Sequence, residues 1–269
     1  MFWEELNVND FAASVEKCGG VCIFPIGCLE KHGNHLPLGT DIYTSREVAA
    51  RAAKQEEVMI FPAYPLGFVT EVKHKAGTIA IPYLLHLQVL EAIFEEISRN
   101  GYHKILILSG HGGNNSFLSA LSRSMQEKRR DYSLFIMNAW HMQPEQQAAL
   151  LEKFGPTPGG GHADHQETSQ IMAIRPDLVH MELVDPEQCR NLGRADWYLE
   201  HGVSTGISWY ASYPNQFAGD PSAATPEYGE DVLAFSAANV AKVVRKIKED
   251  NTLSGLYEEF YSMIDKPGI

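Results

Sequence analysis

VCIFPIGCLEKHGNHLPLGTDIY, residues Val21 to Tyr43, is the stretch on which the reading of this chain turns. Its opening, Val21-Cys22-Ile23-Phe24, is a continuous apolar run of the kind that forms a buried strand. At Pro25 the run gives way to a loop broken by Gly33, Pro37 and Gly39, and within twelve residues that loop sets out Glu30, His32, His35 and Asp41. A strand that empties into such a loop is a common way for an α/β enzyme to build a site. Glu30 and His32 are separated by one residue, so in extended backbone both side chains project to one face. Asp41 rejoins that face if the loop folds back. Imidazole and carboxylate together suit Zn, Mn or Fe better than Mg or Ca. The same residues also fit a polar turn in which His35 and Asp41 only cap backbone.

Working outward, the pattern repeats. Lys104 to Leu108 (KILIL) reads as a buried strand and runs straight into Ser109-Gly110-His111-Gly112-Gly113-Asn114-Asn115, followed by a helix over 116–130. Further strands are expected at 58–61, 78–81 and 133–137, and helices at 4–18, 44–55, 83–100, 142–154, 164–174, 227–250 and 253–264. Thr44 with Glu47 reads as a capping box for the second of these helices. Strands alternating with helices imply a largely parallel sheet covered on both faces. Residues 176–226 carry little periodicity, and no repeat divides the chain, so one domain over 1–269 is expected.

Two more clusters carry chemistry. His111 stands at the carboxyl end of a strand, where open α/β sheets bind ligands, and Gly112 and Gly113 let backbone approach a substrate closely. Alternatively, His111 only caps a tight turn. GGGHADHQETS brings His162, Asp164, His165 and Glu167 together after the Gly-rich run 155–161. A mobile loop with one imidazole resembles a general acid/base on a lid, whereas the plainer reading of His162 is a solvated loop residue. Glu167 equally suits the first turn of a helix. His74, His86, His103, His180 and His201 are scattered, and no GxSxG elbow offers a serine nucleophile. Cys28 lies close to Glu30 and is expected to be a small buried residue.

Composition excludes several classes. With 22 basic and 34 acidic residues the net charge is −12, which argues against a nucleic-acid surface. Cys18, Cys22, Cys28 and Cys189 lack paired spacing and are expected to be reduced. No apolar run approaches the ~18 residues of a membrane span, and MFWEELNVND lacks the features of a secretion signal, so a cytoplasmic protein is expected.

Together the three clusters resemble the creatininase family. PIGCLEKHGNHLPLGTD is similar to that family's long first signature, LSGHGGNN to its second motif and GGHADHQETSQIM to its third, in the same order. The resemblance implies a three-layer α/β/α sandwich, usually a homohexamer, that holds one or two divalent metals (Zn, Mn or Fe) and hydrolyses a C–N amide bond of a small molecule. By position, it implies that Glu30, Asp41 and His111 hold one metal, and that His32, Asp41 as a bridge and Glu167 hold the second. Creatininase proper takes its second-metal acid from the position that is Gly113 here. His162 aligns with the catalytic histidine, and Gly112, Gly113 and Trp140 are candidate substrate contacts.

Departures from the pattern point away from creatinine as the substrate. Lys31 and Asn34 replace the usual Gln and Pro, GFVTEVKHKAGT lacks the family's serine and has Val72 for its histidine, and GPTPGGG has no tryptophan. A single-metal formamide deformylase using Glu30, His32, Asp41 and His111, a peptidase, and an inactive metal-dependent binding protein remain as alternatives.

Overall fold

Period-two alternation along the central strands sets the layering. The computed structural model describes residues 1–158, 160–266 and 268. Its main sheet contains β1 (Val21–Ile26), β2 (Met59–Ile60), β3 (Lys104–Ser109) and β4 (Ser133–Asn138) in the order β2-β1-β3-β4, every pair parallel. The helices are α1 (Val8–Lys17), α2 (Thr40–Ala53), α3 (Tyr83–Arg99), α4 (Asn114–Ser124), α5 (Pro144–Phe154), α6 (His165–Ile174), the short α7 (Asp196–Glu200) and α8 (Ser208–Ser212), α9 (Pro226–Glu249) and α10 (Thr252–Asp265). A separate antiparallel pair joins β5 (Gly160–His162) to β6 (Ala218–Gly219).

Cys22, Phe24, Ile26, Ile105 and Ile107 point to one layer, where they pack with Leu90, Phe94 and Ile97 of α3 and Phe117 and Leu121 of α4. The alternate positions Val21, Ile23, Leu106 and Leu108 point to the other, against Val48 and Ala52 of α2 and Leu233, Ala237 and Val240 of α9. Fully burying a side chain of this size stabilises by about 1.5–3 kcal/mol, so these two layers hold the helices in place more than intrinsic propensity does. The result is the α/β/α sandwich. Among the described residues no helix is long and apolar enough to cross a membrane.

Departures from the sequence reading include the start of α2 and residues 78–81. Helix α2 starts at Thr40, not at the Thr44 capping box, with Gly39 as its N-cap. Tertiary packing overrides the local signal here, because the backbone of Asp41 and Ile42 is seated against Gly27 and Gly110 at the ends of β1 and β3. A Cβ on Gly27 would come within 2.5 Å of the Ile42 nitrogen, and one on Gly110 within 2.2 Å of the Asp41 carbonyl oxygen. Residues 78–81 form no strand, although the Ile79 amide donates to the Leu29 carbonyl. Half of the Ile79 side chain is exposed, so its alternation has no sheet to satisfy.

His86 is fully buried on α3, stacked between Tyr64 and Phe117, and neither ring nitrogen has a partner. Burial pushes its imidazole down to about 4. The unfolded chain therefore binds a proton that the folded chain refuses, and stability falls as pH drops from about 6.5 toward 4. His86→Phe should remove that penalty, raising unfolding free energy at pH 5 by on the order of 1–2 kcal/mol relative to the change at pH 8. Denaturant melts of both proteins at the two pH values check this; equal differences would refute it.

Candidate active site

The loop after β1, the first turn of α2 and the turn after β3 meet at the carboxyl end of the sheet. Asp41 stands in the first turn of α2 and is 2 % exposed, as is Glu30. One carboxylate oxygen of Asp41, Oδ2, lies 3.1 Å from His111 Nδ1, and the other, Oδ1, lies 3.0 Å from His32 Nε2. His111 Nδ1 is also 2.8 Å from Glu30 Oε1, and His32 Nε2 is 3.8 Å from Glu167 Oε2. Asp41 thus has one oxygen in each of two groups, Glu30–Asp41–His111 and His32–Asp41–Glu167, whose ligand atoms lie within 4.8 Å of one another.

The remaining ring nitrogens fix how these imidazoles are used. His111 Nε2 donates to the Phe68 carbonyl at 3.0 Å, His32 Nδ1 to the Glu30 carbonyl at 3.2 Å, and His162 Nε2 to the Lys31 carbonyl at 2.8 Å. With one N–H committed to backbone, the lone pair on the other nitrogen faces the carboxylates, which is how proteins orient histidine toward a metal. Glu30 Oε1 is buried without a hydrogen-bond donor, because the close approach of His111 Nδ1 lacks hydrogen-bond geometry. Carboxylate oxygens and ring nitrogens that converge this closely suit a cation. Zn, Mn and Fe match this mixed N/O set.

Without a cation, protons compensate the crowded charge. Burial opposes charging His32, yet the Asp41, Glu167 and Glu30 carboxylates hold it up at about 10. Burial likewise opposes charging His111, and Glu30 with the other acid groups overcomes it, leaving His111 well above its ordinary value. Burial would raise Asp41, but His32 and His111 hold it below the usual carboxylate range. Glu167 moves the other way, up to about 8, through burial and the neighbouring acids.

His162 is buried, not a solvated loop residue. It sits on β5, stacked on His32 with ring centres 4.2 Å apart, and its Nδ1 lies 4.0 Å from Glu30 Oε1. Burial, and then His32 nearby, pushes it down to about 4, so its ring is neutral at pH 7. The lid expectation for 155–161 includes Gly159, which lies outside the described residues. Glu167 occupies the first turn of α6, where its carboxylate accepts from the Ala163 amide while Asp164 caps the helix. His165 turns instead toward Tyr228, and His35 bonds Thr168. Cys28 donates its thiol to Asp41 Oδ2, and burial holds it well above its ordinary value, which disfavours a thiolate nucleophile.

A cavity of about 300 Å³ opens over the cluster, lined by Glu30, His111, Gly112, Gly113, His162 and Glu167. Trp140 lines an adjoining cavity of about 250 Å³ that shares Asp41, Gly112 and Glu167 with the first. Two further lining residues were not singled out from sequence. Trp209, from the irregular region, lies edge-on to His162 at 5.7 Å. Glu71 occupies the space beside Gly113, where a Cβ would come within 2.8 Å of its Oε1. A longer side chain at 113 would displace that carboxylate.

Comparison with known proteins shows the family. The family model for creatininase (creatinine amidohydrolase) matches residues 4–244. The chain belongs to the creatininase family. It is 24 % identical over 198 residues to creatinine amidohydrolase of Pseudomonas putida, covering 68 % of this chain and 75 % of the relative. With the mycofactocin precursor peptide peptidase of Mycolicibacterium smegmatis it shares 26 % over 237 residues, or 85 % of each chain. A solved manganese creatininase superposes with a TM-score of 0.75 at 21 % identity, covering 91 % of this chain and 97 % of that one. This last likeness concerns the fold. The creatininase fold thus carries hydrolases named for different substrates, so the substrate must be argued from the site.

Proposed function

We propose that this creatininase-family chain is a metal-dependent hydrolase of a C–N amide bond, acting as one domain over 1–269. The observation that carries this reading is the division of Asp41 between two ligand groups, each completed by a histidine whose other nitrogen is tied to backbone. Glu30, Asp41 and His111 would hold one cation, and His32, Asp41 and Glu167 a second. Such cations supply Lewis acidity, which acidifies water and polarises a carbonyl.

The chain's own groups do the rest. His162, neutral and fixed at Nε2 by the Lys31 carbonyl, takes a proton at Nδ1 and returns it to the leaving nitrogen. Gly112 and Gly113 orient the substrate through their amides, and Trp140 and Trp209 bound it on two sides. The mononuclear alternative of Glu30, His32, Asp41 and His111 is supported in part, since Glu30, Asp41 and His111 share one ligand group, whose fourth member is Cys28 and not His32. By resemblance, the protein is proposed to be a homo-oligomer, and the exposed Trp197, Tyr198 and Leu199 of α7 suit a subunit contact.

The test combines metal counting with turnover. Protein loaded separately with Zn, Mn or Fe is assayed on creatinine, a cyclic imide, N-formyl amino acids and short peptides, with and without chelator. Hydrolysis of at least one amide, abolished by chelator and restored by metal, is expected. Metal bound at full occupancy with no amide cleaved would leave a binding protein instead.

A further inference from the structure

Next to the catalytic cavity lies a larger hollow of about 620 Å³, within the range of ligand pockets, and Glu71 lines both. Phe68, Lys73, His74, Ile207 and Tyr210 complete much of its wall. Helix α8 connects the two spaces, presenting Trp209 to the catalytic cavity and Tyr210 to the hollow, with Ile207 just before the helix. Tyr210 packs edge-on against His74 at 4.8 Å, and His74 Nε2 is held by the Pro214 carbonyl at 2.8 Å, so one aromatic wall is braced. Ile207 is 59 % exposed beside it. Exposed Lys73 has no acid within ion-pair distance among the described residues, in a chain of net charge −12.

Position says which half of an amide would extend there. His162 is the group that protonates the leaving nitrogen, and Trp209 stands against His162. A group attached to that nitrogen that extends along α8 past Trp209 would meet Ile207 and Tyr210. We propose that the hollow is the subsite for the amine half of the substrate: a residue with a bulky apolar side chain, bearing a free carboxylate that pairs with Lys73. The substrate class is then an amide-linked carboxyl-terminal apolar residue, either a small N-acyl amino acid or the end of a peptide. This inference rests on the amide-hydrolase reading and narrows it.

The experiment uses metal-loaded full-length enzyme with N-formyl-L-phenylalanine, its methyl ester, N-formylglycine and Gly-Gly-Phe. Expected is a kcat/KM at least tenfold higher for the phenylalanine compound than for the glycine one, carried by KM; a hydrophobic pocket discriminates on this scale. Ile207→Ala and Tyr210→Ala should each shrink that preference severalfold, and Lys73→Ala should erase the discrimination between acid and ester. Melting temperature and metal content confirm that each variant is folded and loaded, and Ile207→Gln provides a second probe of the apolar wall. The rates on N-formyl-L-phenylalanine and Gly-Gly-Phe tell the two sources apart. Equal kcat/KM for the glycine and phenylalanine compounds, or cleavage of cyclic amides alone, overturns this inference and leaves the hydrolase reading standing. If no amide at all is cleaved, both fall.

Discussion

Asp41→Asn should empty both cation positions at once. Each oxygen of this carboxylate belongs to a different ligand group, so no substitution elsewhere in the cluster should reach so far. Losing even an outer partner of a metal ligand costs about 10–100-fold in affinity, and loss of a shared ligand should exceed ~100-fold at both positions. Turnover should fall to background, because groups that act as a unit fail together. Elemental analysis after gel filtration, paired with calorimetric metal titration, reads both effects. Wild-type protein that takes up a single cation and loses it in Asp41→Asn would favour the mononuclear alternative, and wild-type metal content in the variant would sink the shared-ligand reading.

The same titration has a predicted pH dependence. In the metal-free chain His32 is held up at about 10 and Glu167 at about 8, so protons occupy the cluster at neutral pH. A cation must expel them, and its apparent affinity should rise as pH increases from 6 to 8. Proton release, measured as the buffer dependence of binding enthalpy, should accompany uptake in wild type and disappear in Asp41→Asn.

His162→Ala should have a different signature. Metal content stays at the wild-type level, KM moves little and kcat falls about 10²–10⁴-fold, the usual contribution of a positioned acid/base. Partial rescue by added imidazole would separate proton transfer from a structural role. His162 also lies within ligand distance of Glu30 and His32, so a fall in metal content would reassign it as a ligand.

Much of this centre was legible because four of its members, Glu30, His32, Asp41 and His111, stand next to buried strands and glycines. The apolar runs of β1 and β3 fix where the chain enters the site, and residue types in the following loops supply the chemistry. What sequence could not supply was packing across distant segments. The Thr44–Glu47 signal is locally sound, yet α2 begins four residues earlier because Gly27 and Gly110 make room for the backbone of its first turn. Trp209 sits in a stretch without periodicity and lines the candidate cavity only through the fold, whereas Glu71 lies in the GFVTEVKHKAGT segment already compared with the family and was passed over there. Lys31, a departure from the family pattern, has a structural use that its neighbours do not foretell: its ammonium bonds the Asn215 carbonyl and ties the first loop to the irregular segment.

The candidate ligands come from the loop after β1, the turn after β3 and the first turns of α2 and α6, while β6 and α8 come from the least regular part of the chain. The two are stitched together, because Lys31 bonds the Asn215 carbonyl and the Gly33 amide donates to the Gln216 carbonyl. A new substrate wall between 176 and 226 that spared those two links would leave the candidate ligands where they are.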